Sequence, residues 1–121
     1  MLVADAAGAF ITYARVDRMY APETQLKIKD CFRAWLLPLF GAREAESLTA
    51  LDVLELRRAM TDRALSAARQ YSVVVFLKLF LKFCRAVLKL QAMDPAELRL
   101  PRRTQGRVEY LTNGPIRDLS G

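Results

Sequence analysis

Residues 66–90, SAARQYSVVVFLKLFLKFCRAVLKL, decide the fold. This is the most apolar stretch of the chain, and it holds no acidic residue. Its cations Lys78, Lys82, Arg85 and Lys89 recur at steps of four, three and four. At about 100° per residue, four side chains so spaced fall within about 60° of one another on a helix. Most other positions are Val, Leu, Phe and Ala, so the pattern predicts a long helix buried on most of its circumference with one basic stripe in water. Such a helix needs other helices packed around it. It is not a membrane span, because the run Val73–Leu77 ends at Lys78 and a span takes roughly 20 apolar residues in succession.

The neighbouring segments supply the partners. Residues 1–8 are small and weakly patterned and are expected to form a frayed, flexible start. Phe10, Tyr13, Ala14 and Tyr20 mark a short amphipathic helix over 10–20. Pro22 suits a first helical turn, where a missing N–H costs nothing, so a second helix is expected there. Its broad apolar face is Ile28, Cys31, Phe32, Trp35, Leu36 and Leu39, with Trp35 and the phenylalanines expected in the core. Pro38 is expected to end or kink it, with Gly41 as terminator. Residues 42–48 read as a polar loop. Thr49 with Asp52 three residues on predicts a capped third helix over 50–62, pointing Val53, Leu56 and Met60 inward. Ser66 caps the long fourth helix, and Asp94-Pro95 closes it. The basic stretch from Leu98 to Tyr110 reads as a linker, and residues 111–119 as the start of a fifth helix. No strand alternation or repeat appears. The expected architecture is all-α: a compact four-helix bundle over residues 9–98, with a basic connector and a truncated further element over 99–121.

The chain has 121 residues, 53% of them hydrophobic, and a formal charge of +6. That is enough apolar material for one domain with a core. Residues 1–62 carry eight basic and nine acidic side chains, whereas 63–121 carry eleven and four. The imbalance points the second half toward an anionic partner. There is no histidine, which excludes a Cys/His zinc site and Ser-His or Cys-His catalysis. Neither a Gly-rich phosphate loop nor a metal-ligand spacing is present, and the carboxylates are scattered. Catalysis by this chain alone is not expected, nor is a cofactor or a metal. Cys31 and Cys84 read as buried thiols of a reducing compartment, and with no signal-peptide pattern the expected location is cytoplasmic.

Binding has better candidates. Thr24, Gln25 and Lys27 lie at the start of the second helix, and Ser66, Arg69 and Gln70 at the start of the fourth. Free N–H groups at helix starts favour phosphate oxygens, and arginine or glutamine there can read base edges. Arg69 lies about 180° from the Lys78 stripe at 100° per residue, on the core side. It is therefore either a snorkelling core-edge residue or one that projects beyond the core toward a ligand. The stripe itself reads more simply as a solvated face. Arg102 and Arg103 in the connector could track a phosphate backbone or keep a linker soluble.

Taken in order, these pieces resemble the N-terminal core-binding domain of the tyrosine recombinases, the phage-integrase and Xer type family. The matching residues are Phe10 to Tyr13; Thr24 with Ile28, Phe32 and Trp35; Leu48-Thr49-Ala50-Leu51-Asp52-Val53; Ser66 with Arg69 and Ser72; Asp94-Pro95; Leu100-Pro101-Arg102; and Tyr110-Leu111-Thr112. Ile28 stands where many members carry Tyr, and Gly114-Pro115 where an acidic pair is common. The resemblance implies a SAM-like helical domain that grips double-stranded DNA with the starts of its second and fourth helices. It implies Thr24 and Lys27 on backbone or groove, Arg69 and Gln70 on base edges, and Arg102 and Arg103 on phosphates. The catalytic Arg, Lys, His, Arg and Tyr of that family belong to a C-terminal domain, so strand cleavage would be absent here. Other protomers would be met on DNA, and the isolated domain would be monomeric. Two further readings stand beside it: a helical protein–protein module whose basic stripe meets an acidic partner, and a helix-turn-helix regulator built on 59–69.

Overall fold

The computed structural model describes residues 1–98. The order of elements is α1 (Val3–Val16), α2 (Pro22–Cys31), a π-turn (Phe32–Leu36), α3 (Leu37–Phe40), a 3₁₀ turn (Ala45–Ser47), α4 (Ala50–Asp62), α5 (Ala67–Ala86) and a 3₁₀ turn (Pro95–Glu97). α2, the π-turn and α3 run on without a break, so four helical rods make an all-α fold. Among the described residues the only sheet-like pairing is an isolated antiparallel bridge, Leu2 with Glu44.

α5 is the spine. Val73, Val74, Leu77, Phe80, Leu81, Phe83 and Cys84 are all buried, and burying each Val, Leu or Phe fully contributes about 1.5–3 kcal/mol relative to leaving it in water. Its Phe80 meets Phe32 edge to face at 5.2 Å and Phe10 at 5.8 Å. Phe83 meets Phe10 at 5.4 Å and Tyr13 at 4.9 Å. This aromatic cluster fastens α1, the π-turn and α5 together, and tilted or edge-on geometry is what ring quadrupoles prefer.

The first helix begins at Val3, which corrects the expectation of a frayed, flexible start over 1–8. Its face Val3, Ala6, Ala7, Phe10 and Ala14 is buried, and the alanines let α1 approach closely. No side chain caps this helix. Instead the loop after α3 accepts its free donors: Val3 N–H bonds Arg43 O at 2.8 Å and Ala4 N–H bonds Gly41 O at 3.1 Å. The Met1 ammonium meets Glu44 at 2.7 Å and Glu46 at 3.1 Å. These partners are some forty residues away, which no local pattern announces.

Pro38 neither ends nor sharply breaks its rod. The wider π-turn just before it has Leu37 N–H bonding Phe32 O, five residues back, and so takes up the site where a helical ladder would miss the proline N–H. The same turn shifts the buried face. Ile28, Phe32, Leu36 and Phe40, spaced by four, are buried, while Leu39, expected inward, is 41% exposed. Gly41 does terminate the rod, but in right-handed geometry. It is needed for close approach, since a Cβ there would lie 2.6 Å from Leu37 O. The loop over 42–48 is less polar than expected, because Ala45 and Leu48 are buried.

The Thr49–Asp52 cap forms as predicted. The Asp52 carboxylate accepts from Thr49 N–H at 2.8 Å and Thr49 Oγ1 at 3.2 Å, and Arg43 donates to its other oxygen. α5 ends at Ala86, short of the expected Leu90: Val87 and Leu88 N–H both bond Phe83 O, Leu90 N–H bonds Cys84 O at 2.9 Å, and Lys89 turns left-handed at φ 59°. Asp94-Pro95 therefore does not stop α5; Asp94 caps the last 3₁₀ turn by accepting from Ala96 N–H at 2.9 Å. Ala92 and Leu98 then close over the core.

Candidate nucleic-acid interface

α2 and α5 are entered by one repeated device. Before each, a residue adopts left-handed geometry, Met19 at φ 52° and Ala64 at φ 57°. Each is followed by a residue whose carbonyl is taken by a glutamine side chain five positions on. Gln25 Nε2 donates to Tyr20 O at 2.7 Å, and Gln70 Nε2 donates to Leu65 O at 3.0 Å. Ser66 Oγ caps α5 by accepting from Arg69 N–H at 3.2 Å. α2 has no such cap: Ala21 holds the cap position and Pro22 follows. Thr24 is half-buried in the first turn. The two glutamine amides hold the helix starts in place through one N–H each, leaving the second N–H and the carbonyl oxygen for anything outside.

The second half of α2, the π-turn and the first turns of α5 line a common cleft of about 400 Å³. Lys27 and Asp30 stand on its α2 side, Arg69 and Ser72 on its α5 side, and Trp35 and Phe76 line its apolar part. Arg69 is exposed, because the buried face of α5 begins only at Val73. Lys27 is likewise exposed, and neither cation forms an ion pair among the described residues. Asp30 is held by Arg33 Nη2 at 2.6 Å, which leaves the Lys27 and Arg69 charges uncompensated within the cleft. Cys31 also lines it; burial pushes that thiol up to about 12, against a smaller opposing pull from Arg69. It is a neutral wall, not a nucleophile.

The sequence pattern missed three participants. Trp35, expected in the core, is half-buried and lines the cleft. The Arg63 guanidinium covers its ring at 5.2 Å, a cation–π arrangement. Arg63 sits in the short α4–α5 turn, so only the turn geometry brings it to the tryptophan. Asp30 could have been found from its i, i+3 relation to Lys27.

Of the basic stripe, Lys82 and Arg85 are exposed and Lys78 is half-buried, while Lys89 lies beyond the helix. Arg85 Nη1 donates to Ala92 O at 3.2 Å. The stripe runs away from the cleft. Arg102, Arg103, the connector and the fifth helix lie outside the described residues. No helix among the described residues is long and apolar enough to cross a membrane. Comparison with protein-family models, with curated proteins and with solved structures finds no match to this chain.

Proposed function

We propose that this chain is a duplex-DNA-binding helical module of the tyrosine-recombinase core-binding kind, gripping a recombination site while strand cleavage is supplied by a separate domain. The observation that carries this reading is the cleft between the second half of α2 and the start of α5, with Lys27 and Arg69, both exposed and in no ion pair among the described residues, on its rims. The N-terminus of α5 with its partial positive charge, and two cations outside any ion pair among the described residues, suit a phosphate backbone running over the cleft. Arg69, in the first turn of α5, has the reach to a base edge in the major groove. Lys27 and Thr24 serve the backbone, and Ser66, Gln25 and Gln70 hold the helix tips in register. Arg102 and Arg103 extend the grip through the connector. Such a half-grip makes few phosphate contacts, so it binds weakly and steeply with salt.

Fluorescence anisotropy with a labelled duplex at low salt tests this. Micromolar binding is expected. Lys27→Ala should weaken binding to every sequence alike and reduce the slope of log affinity against log salt by about 0.9, the value of one phosphate contact. Arg69→Ala should flatten differences between duplex sequences. Absence of duplex binding at micromolar protein and low salt would sink the proposal.

A further inference from the structure

A second recess lies away from the DNA cleft, where the ends of α1 and α5 run side by side. It is a shallow groove of about 100 Å³, with Phe10 and Phe83 in its lining and Tyr13, Tyr20, Lys82 and Val87 around it. Arg18 also lines it, its guanidinium lying over the Tyr20 ring at 5.6 Å. No carboxylate lines the groove, and neither Arg18 nor Lys82 meets one in an ion pair among the described residues. Apolar side chains are exposed in and near it: Val87, in its lining, is 47% exposed, and Val16 and Met19, at and just past the end of α1, are 60% and 78% exposed. Apolar side chains left in water beside unpaired cations and a recess with room for one side chain are the makings of a docking surface.

We infer that this groove binds an acidic amphipathic peptide segment of another protein, seating one apolar side chain between Tyr13 and Val87 and pairing carboxylates with Arg18 and Lys82. Charge complementarity selects an acidic partner. The apolar component selects a peptide over nucleic acid, because Val16, Met19 and Val87 gain nothing from a phosphate backbone, whose protein contacts are strongly polar and cationic. The Tyr20 ring holds Arg18 in advance, which lowers the cost of ordering it, and a guanidinium offers a carboxylate two parallel hydrogen bonds. Lys78 and Arg85 lie a turn away on the same helix and add a longer-range pull. Asp17 is the acid nearest to Arg18 in sequence, and it lines no part of the groove. This inference does not depend on the DNA-binding proposal.

The probe is a fluorescein-labelled synthetic peptide of Glu and Leu in amphipathic helical order, titrated by anisotropy against the full chain. Saturable binding is expected. Arg18→Glu with Lys82→Glu should weaken it by about tenfold or more, since two attractive pairs become repulsive. Val87→Ser should weaken it by about threefold through lost apolar contact. A peptide with Ala in place of Leu should bind at least about fivefold more weakly for the same reason. Duplex affinity of the charge-reversed protein should change by less than about twofold, because the DNA cleft lies elsewhere. If that variant fails to fold by circular dichroism, Val87→Ser and Arg18→Ala carry the decision. Any of four results overturns the inference. The first is no binding of the Glu/Leu peptide. The second is binding indifferent to these substitutions, or abolished instead by Arg69→Ala. The third is equal loss of peptide and duplex on charge reversal. The fourth is a groove that instead holds anionic phosphatidylserine vesicles, or a second copy of this chain seen by sedimentation, with either association lost on charge reversal.

Discussion

Ala64 holds the turn that aims α5 at the cleft, and it does so in a conformation alanine resists. Its φ is 57°. Ala64 N–H bonds Thr61 O at 2.9 Å and Leu65 N–H bonds Met60 O at 3.0 Å, the paired bonds of a Schellman motif whose left-handed position is usually glycine. A Cβ in left-handed geometry costs about 1–2 kcal/mol, and glycine adds freedom to the unfolded chain worth about 0.4–1 kcal/mol in the other direction. Ala64→Gly should therefore stabilise the protein by about 0.5–1 kcal/mol. For a domain of this size that is a rise in melting temperature of about 2–8 °C. Ala59→Gly, the same chemical change five residues earlier inside α4, should lower stability by about 1 kcal/mol, since an ordinary helical position loses by gaining glycine. Thermal melts followed by circular dichroism at 222 nm distinguish the two. Equal shifts, or a lower melting temperature for Ala64→Gly, would refute the left-handed assignment and the account of how Ser66 and Arg69 are aimed.

Two further expectations concern titrating groups. Burial would raise the Asp52 carboxyl, but hydrogen bonds from Arg43 and from Thr49 outweigh it and hold the group below its ordinary value. Its folded value lies below the unfolded value of about 3.9, so its contribution is complete above that pH and is lost as pH falls through the folded value. Asp52→Asn should cost about 1 kcal/mol at pH 7, as loss of a helix cap does, and progressively less as the pH falls below about 3.9; urea melts over a series of acid pH values check it. Cys31 and Cys84 are pushed up to about 12, chiefly by burial. Both are neutral at pH 8, and a disulfide-exchange reagent should label them only as fast as the protein opens, so a rapid native burst would contradict the packing around α2 and α5.

Much of the fold was legible because it is written in short-range relations. Ser66 and the apolar spacing to Cys84 announce the spine, Pro22 marks a first turn, and Thr49 with Asp52 spells a cap three residues wide. These features involve partners within one or two turns, so spacing alone exposes them. The misread positions depend on distant partners, altered helical pitch or left-handed residues that are not glycine. Val3 and Ala4 are satisfied by the loop after α3. Leu39, expected inward, is exposed because a π-turn accommodates Pro38. The glutamine clamps were visible as residues but not as a pair, since each needs a left-handed residue, Met19 or Ala64, that no glycine advertises.

For the candidate site the division is similar. By itself the sequence determined an all-helical chain with a single apolar spine, the cap at Ser66, and a set of polar and basic residues at the starts of two helices. Local propensity and periodicity suffice for that. Only the tertiary structure decided that Lys27 and Arg69 line one cleft, that Trp35 is at its edge beneath Arg63, and that Arg18 and Lys82 share a separate groove on the other end of α1. Those juxtapositions follow from how far each rod is rotated when Phe10, Phe32, Phe80 and Phe83 interlock, and that rotation is set by packing between residues up to 73 positions apart.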